Sequence, residues 1–338
     1  MKKIIILVFY LFFIFTNKAQ EKVLPIIDMH LHAMDINSFG PPPTAMCAPL
    51  LEYPTHDPKD NYSKEWSEWL RNPDCENPIW SPNTDDELMR QTFEVLERNN
   101  IYAVTSGVPH IVSKWKNELP NRIISGLWFA RFLGSEPSVE EVEKAFKEGK
   151  LEVFSEIAIQ YDGKSPSDAS FEPYLDMAEK NDIPVGIHIG TGPPGAIYIG
   201  GSPNYRAALH SPLILEDALV KHPKLRVYIM HAAWPMLDDL LAVLYSHPQV
   251  YIDVGIIDWQ LPRKEFHRYL QRIVQAGFGK RIMFGSDQMA WPKTIEVAIE
   301  SLESAEFLSD EQKRDIFYNN AARFLRFSKE QIDRHHQK

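Results

Sequence analysis

The chain has 338 residues, 44% hydrophobic and 24% charged, a balance that excludes wholesale disorder and leaves room for one large domain or two ordinary ones. Its 46 acidic residues outnumber its 36 basic ones, giving a net charge of −10, and without a Lys/Arg cluster nothing marks it for nucleic acid. Two cysteines are too few for a disulfide scaffold or a cysteine-rich metal centre, whereas twelve histidines and eight tryptophans are a surplus whose positions carry information.

Met1-Lys2-Lys3 precedes an uncharged run over residues 4–15. That is the pattern of a secretory signal, because a membrane span needs about 20 apolar residues. Cleavage is expected after Ala19, which makes residues 1–19 a signal peptide and 20–338 the mature chain. Losing Lys2, Lys3 and Lys18 leaves 33 basic residues against 46 acidic ones, a net charge of −13. The expected location is periplasmic or secreted, with no stable membrane insertion after signal removal; an uncleaved anchor helix is the alternative. Export would place Cys47 and Cys75 in an oxidising compartment, where they either pair or remain two free thiols.

Short apolar or β-branched runs follow at 23–32, 101–109, 122–130, 151–160, 183–190, 226–234, 250–257 and 281–287. Several are almost continuously apolar, as strands buried on both faces are. Amphipathic helical patterns lie between them at 84–100, 138–149, 171–181, 213–222, 235–246 and 262–276, with a weaker one at 112–119. Thr84 and Ser138 read as N-caps, and Pro235 and Pro262 sit where a first helical turn accepts proline. Eight β/α alternations predict an α/β fold, a single-domain TIM-type (β/α)8 barrel, with a doubly wound sheet as the alternative. Two insertions break the alternation, at about 35–82 and about 191–211, and both follow strand ends, so both should overhang the face where barrel enzymes place their sites. The first reads as a structureless loop, which at that length suggests function or stapling.

Polar residues at the strand ends converge. Asp28-Met29-His30-Leu31-His32 closes the first strand, and i, i+2 spacing directs both imidazoles to one face. Glu156 lies in the apolar run Val153-Phe154-Ser155-Glu156-Ile157-Ala158-Ile159, where an unpaired carboxylate would be costly. His188, His231 and Asp287 end the fifth, sixth and eighth strands. Imidazole and carboxylate ligands suit zinc, iron, manganese or nickel. Asp28 reads as a carboxylate that orients a ligand imidazole. The other eight histidines read as ordinary solvent-facing or structural residues.

The ordered set Asp28–His32, His188, His231, Phe284-Gly285-Ser286-Asp287 and Asn319-Asn320-Ala321-Ala322-Arg323-Phe324-Leu325 resembles the amidohydrolase superfamily. It is most similar to the amidohydrolase-related (amidohydrolase-2) branch that includes the aminocarboxymuconate-semialdehyde decarboxylase relatives. The resemblance implies that His30, His32, His188 and Asp287 hold one divalent metal, most often Zn2+. It also implies that His231 stands beside the ion as a catalytic group polarising a carbonyl, and that Asp287 moves the proton of a metal-activated water. Glu156 departs from the carboxylated lysine of many superfamily members and is similar to the strand-four glutamate of TatD-like nucleases; if it bridges, His188 and His231 would pass to a second metal.

The implied chemistry is hydrolysis of an amide, ester or lactone of a small organic substrate. The same residues would also serve a nonoxidative decarboxylase of a small unsaturated or aromatic acid, and a third reading is a non-catalytic binding barrel braced by its metal. Arg206 is a candidate carboxylate fork, with Tyr198 and Tyr205 nearby, and Trp234, Trp259 and Trp291 are candidates for an aromatic rim. The small molecule is the expected partner, nucleic acid is not, and a homodimer is the state common in this branch.

Overall fold

A computed structural model describes residues 23–131 and 134–337. The signal-peptide expectation at 1–19 lies outside the described residues. Ten strands follow in chain order: β1 (Ile26–Ala33), β2 (Ala45–Met46), β3 (Ile79–Trp80), β4 (Ile101–Gly107), β5 (Ile123–Ser125), β6 (Phe154–Ile157), β7 (Val185–His188), β8 (Val227–Met230), β9 (Val250–Asp253) and β10 (Ile282–Met283). All but β2 and β3 belong to the eight predicted runs and pair in parallel, in the orders β1-β4-β5 and β10-β9-β8-β7-β6.

Backbone hydrogen bonds join these two groups on both sides. Leu127 N–H donates to Ser155 O (2.7 Å) and Phe129 N–H to Glu156 O (2.7 Å), linking the chain after β5 to β6. Met29 N–H donates to Phe284 O (2.9 Å) and Asp287 N–H to His30 O (2.6 Å), linking β1 to the chain after β10. The ring is therefore closed, and the fold is the (β/α)8 barrel. Leu175, Val185, Val227, Leu240, Phe266 and Ile295 are buried in the layer between strands and outer helices. Ile27, Met29, Tyr228, Met230 and Met283 form a second cluster with Phe324 and the C-terminal segment.

The outer helices begin where the sequence signals them. Thr84 accepts from Glu87 N–H at the start of the helix Asp85–Arg98, with three acidic residues in its first turn, and Ser138 and Glu141 complete a capping box for Val139–Lys147. Other boundaries differ: Pro235 precedes Met236, the N-cap of the helix Leu237–Ser246, and Pro262 is itself the N-cap of Arg263–Ile273, so neither proline lies in a first helical turn. The pattern at 213–222 is a 3-10 turn, Pro212–Leu215, followed by the helix Glu216–Lys221. The run at 250–257 stops being a strand at Asp253 and turns into the short helix Ile257–Gln260.

The first insertion is not structureless. Strands β2 and β3 pair antiparallel, the helix Tyr62–Trp69 is capped by Asn61, and Cys47 and Cys75 are joined in a disulfide. Burial of Tyr62 and Trp66 on one face of that helix supplies the apolar anchoring that orders the insertion. The two insertions meet where Tyr62 Oη donates to Pro194 O (2.7 Å), so together they roof the C-terminal end of the barrel. Among the described residues no helix is long and apolar enough to cross a membrane.

Candidate metal centre

His30 and His32 on β1, Glu156 on β6, His188 at the end of β7, His231 in the turn after β8 and Asp287 in the loop after β10 come together at one end of the barrel, all buried. His231 (φ +59°) and Asp287 (φ +47°) both take left-handed backbone, an unfavourable choice for residues with a Cβ that the closed ring imposes and that aims them inward.

Ligand atoms on a tetrahedral sphere of about 2.1 Å lie about 3.4 Å apart. His30 Nε2 stands 3.6 Å from Glu156 Oε2 and 3.7 Å from Asp287 Oδ1, and His32 Nε2 stands 3.4 Å and 2.9 Å from the same two atoms. His30 Nε2 is buried without a hydrogen-bond partner, which is costly unless an ion completes it. Donor atoms within reach of one ion form two sets, His30/His32/Asp287 and His30/Glu156/His231, which share His30. These residues fit a divalent metal.

His188, a ligand by resemblance, is placed differently. Its Nδ1 is hydrogen-bonded to Glu156 Oε1 and lies 3.0 Å from His231 Nε2, while its Nε2 lies 3.4 Å from Tyr161 Oη. The structure brings Glu156, rather than His188, beside His30 and His32. His231 Nδ1 must donate to Gly255 O (3.0 Å), since a carbonyl only accepts.

Charge settles the protonation pattern. Burial would raise the carboxyl of Glu156, but the hydrogen bond from His188 and the nearby ring of His30 hold it well below the usual range. Burial opposes ionisation of Asp287 too, and the charge of His30 with the hydrogen bond from His32 lowers it to about 2. Burial, with His188 and His30 nearby, pushes His231 down to about 4, so at neutral pH it is uncharged and Nε2 is an acceptor.

A supporting layer lies beneath. Asp253 Oδ2 is 3.2 Å from His30 Nδ1, while its Oδ1 accepts from His231 N–H (2.9 Å) and Gly255 N–H (3.0 Å). Asp28, expected to orient a ligand imidazole, accepts instead from the His30 backbone N–H (2.9 Å) and from Ser286 Oγ (2.5 Å), and it is Asp253 that faces the His30 ring. Gln288 clasps the His32 backbone on both sides, at 2.9 and 2.7 Å. A Cβ on Gly255 would meet His30 Nδ1 at 2.8 Å, so glycine is needed there for close approach.

The centre opens into a cavity of about 470 Å3 onto which His32, Glu156, His188, His231 and Asp287 face, with Phe39, Trp66, Trp128 and Trp234 among its walls. Of the candidate gripping residues only Trp234 lines it. Arg206 is exposed, outside the cavity wall, and its Nη1 donates to Tyr205 O (2.6 Å) and Pro203 O (3.2 Å) of its own loop. Tyr205 is buried and bonds to Thr191 O; Tyr198 is 66% exposed and stands outside the cavity wall. Trp259 and Trp291 are fully buried, donating to Ser286 O (2.7 Å) and Thr44 O (3.1 Å), and brace the loops instead of forming a rim. Sequence reasoning missed Asp253, Trp66, Trp128 and Tyr161. Asp253 carried the signal that marked Glu156, an acid closing an apolar strand.

The sequence model of the family Amidohydro_2, described as Amidohydrolase, matches residues 27–327. No curated protein matches by sequence. Among solved structures, the chain is similar to an uncharacterised TIM-barrel protein from Bordetella bronchiseptica (16% identity, 92% of this chain and 100% of that one, TM-score 0.58). It is also similar to a probable 2-pyrone-4,6-dicarboxylic acid hydrolase from Acinetobacter baumannii with citric acid bound (13%, 90% and 100%, 0.56). A third is a 2,6-dihydroxybenzoate decarboxylase from Rhizobium (12%, 90% and 99%, 0.56). At these identities the likeness to the structures speaks for the fold.

Proposed function

Because the chain belongs to the amidohydrolase family, we propose that this enzyme is a metal-dependent hydrolase of an amide, ester or lactone bond in a small organic substrate. The observation that carries the reading is the set of unsatisfied or ion-paired donor atoms of His30, His32, Glu156 and Asp287, converging at one mouth of a small-molecule-sized cavity. A divalent ion bound by these residues supplies Lewis acidity and brings the pKa of water toward about 7.

The chain's own groups supply the rest. Asp287, ionised, takes the proton from the attacking water and returns it to the leaving atom. His231 carries its proton on Nδ1, donated to Gly255 O, and its Nε2 faces His188 Nδ1 at 3.0 Å. At rest it therefore holds no proton aimed at the substrate oxygen, and its place is to position the neighbouring groups rather than to act as a standing oxyanion donor. His188 ties Glu156 to His231 and keeps the two in register. The roof made by the two insertions keeps bulk water from the walls.

Decarboxylation is the second reading, favoured by the named activity of one structural neighbour. Turnover in H2 18O separates the two: hydrolysis incorporates one solvent oxygen into the acid product and releases no carbon dioxide. Carbon dioxide without oxygen incorporation would overturn the hydrolase reading. The same proposal places the enzyme in the periplasm or outside the cell, which the apolar run at 4–15 and the Cys47–Cys75 disulfide support.

A further inference from the structure

Beyond the reaction type, the cavity carries information about the charge of what it accepts. Its walls contain two carboxylates, Glu156 and Asp287, three imidazoles and neutral side chains; among the described residues lining it there is no lysine and no arginine. A third acid, Asp253, is fully buried directly behind His30. The one arginine the sequence offered as a carboxylate fork, Arg206, is exposed and does not line the cavity, and its Nη1 bonds to carbonyls of its own loop.

The charges can be counted. Glu156 and Asp287 together would neutralise a divalent ion, so the loaded site would be balanced before substrate arrives, and the buried Asp253 and Asp28 beneath it tip the balance negative. A substrate with a carboxylate or phosphate away from the reacting bond would bury that charge among Trp66, Trp128, Phe39 and Trp234, with no cation to pair it. Burying an unpaired charge in such a place is strongly unfavourable. A neutral group of the same shape keeps the apolar and aromatic contacts without that cost. Electrostatic repulsion by the acids extends the same bias to the approach path.

We propose that this cavity selects electrically neutral, aromatic or apolar substrates and excludes those carrying an anionic group remote from the scissile bond. The inference rests on the hydrolase reading for the identity of the reacting bond, but not for the charge preference. Substrate class then follows from the wall: a neutral aryl or alkyl ester, amide or lactone, small enough for about 470 Å3.

The test uses an isosteric pair, 4-acetamidobenzamide and 4-acetamidobenzoate, with binding to the purified enzyme measured by calorimetry. The neutral probe should bind at least about tenfold more tightly. The measurement is repeated after chelator treatment, which removes the ion as an alternative anchor for the carboxylate, and the preference should persist. Gln260→Lys, and independently Met289→Lys, should narrow or reverse the preference by supplying the missing cation. Equal or tighter binding of the benzoate by the chelated wild-type protein, or no binding of either probe, would overturn the proposal.

Turnover separates the two claims. If 4-carbamoylphenyl acetate and 4-carboxyphenyl acetate are cleaved with equal kcat/KM, the charge preference falls and the hydrolase reading stands. If the neutral probe wins in calorimetry and no neutral ester, lactone or amide is cleaved, the hydrolase reading falls and the charge preference stands.

Discussion

Replacing Asp253 with asparagine changes one charge beneath the metal centre while preserving volume. Asp253 Oδ1 accepts from the backbone N–H groups of His231 and Gly255, and asparagine Oδ1 can accept both bonds unchanged. The other oxygen, 3.2 Å from His30 Nδ1, becomes an amide NH2. For His30 Nε2 to bind an ion, Nδ1 must carry the ring proton, so the variant sets donor against donor. Either the ring rotates away or the proton moves to Nε2, and both outcomes remove a ligand. Losing such an orienting partner costs 10- to 100-fold in metal affinity, or about 1.4–2.8 kcal/mol. Competition against a fluorescent zinc chelator reads this directly, with far-ultraviolet circular dichroism to verify folding. A folded Asp253→Asn protein whose zinc affinity stays within twofold of wild type would refute the argument that Asp253 sets the His30 tautomer.

Other outcomes follow from the same geometry. Gly255→Ala forces a Cβ to within 2.8 Å of His30 Nδ1 and 3.2 Å of Asp287 Cβ, so metal content should drop while the barrel remains folded; elemental analysis and thermal unfolding report the two effects separately. Reducing the Cys47–Cys75 bond, or making the double serine variant, frees a 28-residue separation worth about 3.5 kcal/mol of chain entropy. Hydrogen exchange should then rise across residues 35–82 and leave β7 and β8 protected; uniform exchange would show that the insertion does not open as a separate unit. Trp66→Ala removes a large apolar wall of the cavity and should raise KM for a neutral aryl ester by about tenfold with little change in kcat, whereas an equal fall in kcat would assign Trp66 to positioning the reacting bond.

The barrel was legible because its strands are buried on both faces: a run such as Val227-Tyr228-Ile229-Met230 has no competing reading in an alternating pattern. The converging ligands were legible for a related reason, since a charged or imidazole side chain closing an apolar strand has few places to go. Glu156 and His30 are examples, and Asp253 obeys the same rule although it was passed over. What stayed hidden depended on contacts distant in sequence. The helix Tyr62–Trp69 is fixed by burial against the second insertion, including the bond from Tyr62 to Pro194, and no local pattern announces it. Trp259 and Trp291 follow strand ends as rim residues would, but their indole N–H groups find carbonyls in the core. Arg206 has the right chemistry for an anion and the wrong address. His188 carries the ligand signal, and only the folded arrangement shows it bonded to Glu156.

The central claim is that His30, His32, Glu156 and Asp287 hold a catalytic divalent ion. Elemental analysis of the purified protein, beside a folded His30→Ala/His32→Ala double variant, tests it most directly. The account predicts about one equivalent of zinc or a similar divalent ion in the wild type and none in the variant. An unchanged metal content in the double variant would contradict it.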